Sequence, residues 1–303
     1  MFWKILYVEC KKVCALPHLW IGQALVLFSN LLLETCLLLL RVLPLNSLNH
    51  AAQVFHWPFN LVIVVSQLYF VHLGGLVLLV LSALLAGQEF TWGSFHLWLT
   101  RGVPRWLLLT AKVVTLFLTL GLTIILSIVS VSLVSLFDGS VAGGVEWSEV
   151  ERMALSLCEA TYALLPLLLL SFVLALGLRS SLKGIVCILL LSLCVYPLFE
   201  VLGRYSQWMR VLVSCTPFGL SRALMSANPL FVDAEQKIAS FVGLTENLER
   251  QGNLLPFWGI VGGLTFYCIL FLLLAFFLFL RQDCTPSLPF KRRVRCWRKN
   301  MIH

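Results

Sequence analysis

Residues Gln88–Lys112 read QEFTWGSFHLWLTRGVPRWLLLTAK. The stretch carries one acid, Glu89, and three bases, Arg101, Arg105 and Lys112. It also carries Trp92, Trp98 and Trp106, and a Gly-X-Pro break at Gly102 and Pro104. Apolar sequence of membrane length precedes it and follows it. A charge at the bilayer centre costs on the order of 3 kcal/mol, so the stretch cannot lie in hydrocarbon. It belongs at one membrane surface, with its indole rings at headgroup level. The chain therefore crosses, surfaces and crosses again, and it spends much of its polar chemistry on that one surfacing.

The composition agrees. Of 303 residues, 60% are hydrophobic and only 12% charged, where a soluble domain is near half apolar and a quarter charged. Mean hydropathy is +0.94. These values exclude an ordinary soluble domain and describe an integral membrane protein. Working outward from the opening stretch, six runs reach the roughly 20 residues needed to span about 30 Å of hydrocarbon. They are Leu19–Leu43, Leu61–Ala86, Leu107–Phe137, Ala154–Leu178, Gly184–Leu202 and Phe257–Leu280. The expected fold is all-α, a single six-span domain over residues 1–303. The third run exceeds the need and must tilt or protrude. The fifth is short and contains Pro197, so its outer end is open. No cleavable signal peptide is expected, because the first apolar run is too long.

The flanking segments differ in kind. Residues 1–18 place Phe2, Ile5, Leu6, Val8 and Val13 among Lys4, Glu9, Lys11 and Lys12 and end at Pro17, the pattern of an interfacial amphipathic helix. Residues 203–256 begin apolar (WMRVLVSCTPFGLSRAL) and turn charged (DAEQKIASFVGLTENLERQ). The apolar half is too short and broken to span, so short surface-lying or re-entrant outer helices are expected between spans five and six. Residues 281–303 form a basic tail.

Charge orients the chain. With the N-terminus inside, the inner segments hold fifteen bases and three acids, net +12, and the outer ones seven bases and ten acids, net −3. Glu34, within span one, supplies the remaining negative charge of the +8 total. The positive-inside rule then puts both termini in the cytoplasm of a plasma-membrane protein. The tail KRRVRCWRK is expected to meet anionic lipid headgroups rather than nucleic acid.

Span one carries Gln23, Asn30, Glu34 and Arg41 at spacings of seven, four and seven, which is one stripe of a helix. Ionisable groups inside spans usually face a bundle interior or a wet cavity. The stripe reads as a translocation path or a dimer seam; the bland alternative is a hydrated Glu34 paired with Arg41. Span three carries Thr115, Thr119, Thr123 and Ser127 at every fourth position, ordinarily helix-packing glue. His72 beside Gly74-Gly75 suits a buried, neutral ring at a close helix contact. Ten Cys form no CxxC, which gives no zinc or haem signal.

Taken together, these features resemble the permease subunits of type-2 ABC transporters, the mostly exporting class. The resemblance rests on the amphipathic start, the six spans, and the Cys215-Thr216-Pro217-Phe218 turn between spans five and six. Its closest part is Glu89, Trp92-Gly93-Ser94, Leu97, Leu99-Thr100-Arg101, Pro104-Arg105, Leu108-Leu109 and Lys112. The family commonly reads there an acid, then Gly-Thr, Leu-Leu-x-x-Pro-x-Ser-Arg and Gly-Lys. A second echo is Leu176–Gly184, with Arg179-Ser180-Ser181 at the tight inner turn. Ser94 replaces the usual Thr and Ala111 a usual Gly; neither removes a charge.

The resemblance implies that residues 87–112 form a cytoplasmic coupling segment docking on a separate cytosolic ABC ATPase. The residues so implied are Glu89, Phe90, Trp92, Gly93, Trp98, Arg101, Pro104, Arg105 and Lys112. Phe90–Thr100 would be the helix offering apolar contact area, and Lys112 would snorkel from the start of span three. The chain has no Walker A pattern, so it is expected to bind no cofactor and to be no enzyme; ATP and Mg would sit on the partner. A second permease copy or paralogue would complete the path. Two other classes compete. One is a non-transporting scaffold or immunity-type binding protein. The other is an intramembrane enzyme, for which Gly139-Ser140, Glu149 and Glu151 lack the required context.

Overall fold

The computed structural model describes residues 2–42, 61–92, 103–137, 147–228 and 256–281. The described residues are helical, with no strand among them. In chain order the helices are α1 (Phe2–Cys14), α2 (Pro17–Val42), α3 (Leu61–Gln67), α4 (Leu73–Trp92), α5 (Arg105–Phe137) and α6 (Trp147–Gly177). Then come α7 (Ser181–Leu190), α8 (Tyr196–Tyr205), α9 (Gln207–Cys215), α10 (Pro217–Ala227) and α11 (Phe257–Arg281). Four membrane-length apolar segments stand out: α5, α6, the α7–α8 unit up to Gly203, and α11. A fifth exists if α1 and α2, bent by 64° at their junction, are one broken span. The chain is thus a multi-pass helical membrane protein.

Proline sets the first bend. Pro17 lacks an N–H and disfavours helical backbone at Leu16, so α1 stops at Cys14. The Trp20 indole N–H donates to the Cys14 carbonyl at 2.7 Å, satisfying one orphan at the end of α1. The apolar face of α1 turns onto the bundle: Ile5, Leu6 and Val13 are buried, while Trp3 and Tyr7 remain exposed.

The second apolar run is not one helix, which departs from the expected Leu61–Ala86 span. It breaks over residues 68–72 between α3 and α4. The Gln67 side chain accepts from the Gly74 N–H at 3.2 Å, and the His72 Nδ1–H donates to the Ser66 carbonyl at 2.6 Å. These bonds replace part of what the break removes, as non-helical backbone at membrane depth requires. Glycine is needed here because a Cβ at Gly74 would lie 2.6 Å from the Gln67 carbonyl oxygen, and one at Gly75 would strike that of Tyr69.

Pro197 acts differently. Its ring cannot follow a regular helix without clashing one turn back. The backbone widens into a π-helical turn over Leu191–Val195 and continues as α8, so the span bends without stopping.

α6 lies at the centre, packed against α3, α4, α7, α10 and α11. Two serines fasten it reciprocally to α4. Ser82 Oγ donates to the Leu168 carbonyl and Ser171 Oγ to the Leu79 carbonyl, both at 2.7 Å. The α6–α7 turn is tight: Arg179 adopts φ 51°, and a Cβ at Gly184 would lie 2.7 Å from Ala175. Two apolar cores stack along the bundle. One joins α1, the end of α4 and the start of α5 to the ends of α6 and α11. The other joins α3, the first halves of α6 and α11, α8 and α10.

Among the described residues between α8 and α11 are two short helices, as expected. α9 is amphipathic and buries none of its residues, with Trp208 and Leu212 exposed. α10 starts at Pro217 under a Thr216 cap, whose hydroxyl accepts from the Gly219 N–H at 3.1 Å. It tucks Phe218, Leu220, Leu224 and Met225 inward. The charged half, DAEQKIASFVGLTENLERQ, lies outside the described residues, as does the basic tail beyond Arg281.

Candidate functional site

The residues singled out in the sequence fall into two places. The first is the end of the bundle where α4 stops and α5 begins. α4 runs on to Trp92, so Glu89 sits in its last turns, though the Glu89 and Trp92 side chains lie outside the described residues. So do Gly93, Trp98 and Arg101. Phe90 lies in the last turns of α4 and packs against the core that includes α1 and the start of α5, instead of starting a separate surface helix. Pro104 opens α5, its carbonyl accepting from the N–H groups of Leu107 (3.1 Å) and Leu108 (3.4 Å).

Both flanks of the interruption are tied to other helices. Arg105 donates through Nη1 to the Leu280 carbonyl at 3.0 Å, joining the start of α5 to the end of α11. Gly87 lies so close to Ser181 that a Cβ there would strike its backbone, which seats the end of α4 on the start of α7. Lys112 does not snorkel into solvent. It is only 5% exposed, and its ammonium lies 3.5 Å from Glu9 Oε2 on α1. Glu9 is 3% exposed and also takes Lys12 on its other oxygen at 3.0 Å. Glu9, Lys12, Val13, Leu85, Gln88, Lys112 and Thr115 together line a small cleft.

The amphipathic pattern put Glu9 on the polar side of the first helix, but the structure buries it. The signal was present nonetheless: Ile5, Glu9 and Val13 are four apart, which puts Glu9 on the buried stripe of α1. Desolvating the pair makes each partner dependent on the other. The first helix is thus fastened by charge, as well as by apolar packing, to the start of α5.

The second place lies between α2 and α5. Gln23, Asn30 and Glu34 are all buried, Asn30 completely, and so are Thr115, Thr119, Thr123 and Ser127. The two polar lines meet inside one chain: Gln23 Nε2 donates to Thr123 Oγ1 at 2.6 Å. Thr115, Thr119 and Thr123 each donate to a carbonyl of their own helix at 2.8 Å. Gln23 Oε1, both polar side-chain atoms of Asn30 and both carboxylate oxygens of Glu34 find no partner among the described residues. The side chain of Arg41 lies outside those residues.

At the other end of the bundle a third group forms. Phe70, in the α3–α4 break, stacks edge-on against Tyr196 of α8 at 5.4 Å and Phe218 of α10 at 5.2 Å. Arg222 of α10 pairs with Glu200 of α8. Asn228, just past α10, donates to Ser156 and Glu159 of α6, each at 2.8 Å. Apart from Phe218, no sequence motif marked this group, because its members come from three separate helices and the break.

Residues 45–227 match the family described as Protein of unknown function (DUF2705). No curated protein and no solved structure matches the chain.

Proposed function

The chain belongs to the DUF2705 family, and from that premise we propose that it is the membrane-spanning permease subunit of an ATP-driven transporter of the type-2 ABC class, working as an exporter. In this reading α2, α3 with α4, α5, α6, α7 with α8, and α11 make six crossings. α1 lies along the inner surface, and both termini are cytoplasmic at the plasma membrane. A separate cytosolic ABC ATPase carries ATP and Mg and docks on the segment between Trp92 and Val103. A second permease copy or paralogue completes the path. The basic tail meets lipid headgroups, and nucleic acid is no partner.

The observation that carries the reading is how the interruption is held. Its two flanks connect directly to α1 through Glu9–Lys112, to α7 through Gly87–Ser181, and to α11 through Arg105–Leu280. A push on the surface segment is thereby delivered to five helices at once. Rigid packed elements with such ties are what a docked motor needs in order to move a bundle. A passive scaffold has no need of them.

Purification of the tagged chain from its native membrane in mild detergent tests this. A roughly equimolar P-loop ATPase should co-purify and be lost with Glu89→Ala plus Arg105→Ala. A partner-free protein would remove the energy source and leave the scaffold reading in its place.

A further inference from the structure

Among the described residues, five buried side-chain nitrogen and oxygen atoms have no hydrogen-bond partner, and all five lie on α2. They belong to Gln23, Asn30 and Glu34, one stripe of that helix. At about 1.5 Å rise per residue, Asn30 stands roughly 10 Å beyond Gln23 and Glu34 about 6 Å further. Four of the five atoms are acceptors and one, Asn30 Nδ2, is a donor. The facing hydroxyl of Thr123 has given its proton to the Thr119 carbonyl, so it presents only lone pairs to the seam, where Gln23 Nε2 donates to it. The seam therefore holds a surplus of acceptors and one carboxylate.

Leaving a buried polar atom unsatisfied costs about 1–3 kcal/mol, more for a charged group. A ligand that removes this cost must bring N–H donors and a positive charge. Among the described residues no three His, Cys, Asp or Glu side chains gather, so a carboxylate-rich metal cage is not what the seam offers. Apolar groups buried on the same two helices, Val26, Leu116, Leu120 and Val131, supply the remaining surroundings. We propose that the α2–α5 seam binds the ammonium group of an amphipathic amine at its Glu34 end, with Glu34 as its counter-ion and Asn30 Oδ1, one turn away, as hydrogen-bond acceptor. As cargo recognition this rests on the permease reading; as a binding site it does not.

The test uses the full chain in nanodiscs of neutral lipid, with no ATPase present. The probe is dansylcadaverine, a primary amine on an aromatic body, followed by fluorescence anisotropy; its N-acetylated, neutral form is the control. Saturable binding of the amine is expected, with little binding of the control. Glu34→Gln keeps the shape and removes the charge. It should weaken binding roughly tenfold or more, as loss of a charge-assisted hydrogen bond away from water implies. Its melting temperature should not fall, because it removes an unpaired buried charge. Asn30→Val is the second variant and should also weaken binding. No saturable binding, equal binding of the neutral form, or unchanged affinity in both variants would overturn the proposal. ATPase co-purification is read separately, so the seam and the permease reading can each fail alone.

Discussion

Glu9 and Lys112 show what a single pair does in this chain. Removing one partner strands the other in a buried place, which costs about 3–5 kcal/mol where both groups are fully desolvated. Glu9→Gln removes the carboxylate that Lys12 and Lys112 share, whereas Lys112→Met leaves Glu9 its second ammonium, Lys12. Thermal melts in detergent should therefore show the larger loss for Glu9→Gln. The double variant should recover part of that loss; equal losses that simply add would mean that the pair is not coupled. Lys112 was legible in the sequence as a charge at the start of a span. Its partner was not singled out, because an acid in a basic amphipathic segment looks like a solvated charge until the four-residue spacing with Ile5 and Val13 is weighed. Gln23 and Glu34 were legible as a stripe. That the stripe faces Thr123 of the same chain could come only from packing.

At the scale of elements, the packing of α4 on α6 rests on two hydroxyls. Ser82 and Ser171 each donate to a carbonyl of the other helix at 2.7 Å. Interhelical bonds of this kind contribute roughly 0.6 kcal/mol on average and up to about 1.7. Ser82→Ala should lower stability by about that amount, and Ser171→Ala likewise; a loss well above 2 kcal/mol would point to packing instead. The break between α3 and α4 makes a sharper claim. Gly75→Ala places a methyl against the Tyr69 carbonyl and should cost about 1–3 kcal/mol, the range for overpacking. Hydropathy alone reads Leu61–Ala86 as one span, because Gln67 and His72 are too few to interrupt so apolar a run. Gly74-Gly75 hinted at a close approach without saying to what. The π-turn before Pro197 was more accessible: proline announced an irregularity, and the backbone resolved it by widening rather than ending.

At the scale of the molecule, the proposed orientation rests on charge asymmetry. Cys14 closes α1 and Cys215 closes α9, and both are exposed thiols. The proposed topology puts them on opposite sides. A membrane-impermeant maleimide should label Cys215 on intact cells and Cys14 only after permeabilisation, read by mass spectrometry of the tryptic peptides. Labelling of both from outside would refute the six-crossing arrangement and, with it, a cytoplasmic surface segment. The helical class and the membrane-length character of most runs were within reach of the sequence, since they depend on composition and local period. The group of Phe70, Tyr196, Phe218 and Arg222 was not, because it depends on three separate elements coming together.

The account turns on what the segment after α4 touches. A photo-reactive benzoylphenylalanine in place of Trp98, irradiated in native membranes, addresses that contact directly. The account predicts a cross-link to a P-loop ATPase subunit that strengthens or weakens with nucleotide. Cross-linking to lipid alone, or a protein adduct indifferent to ATP, would contradict it.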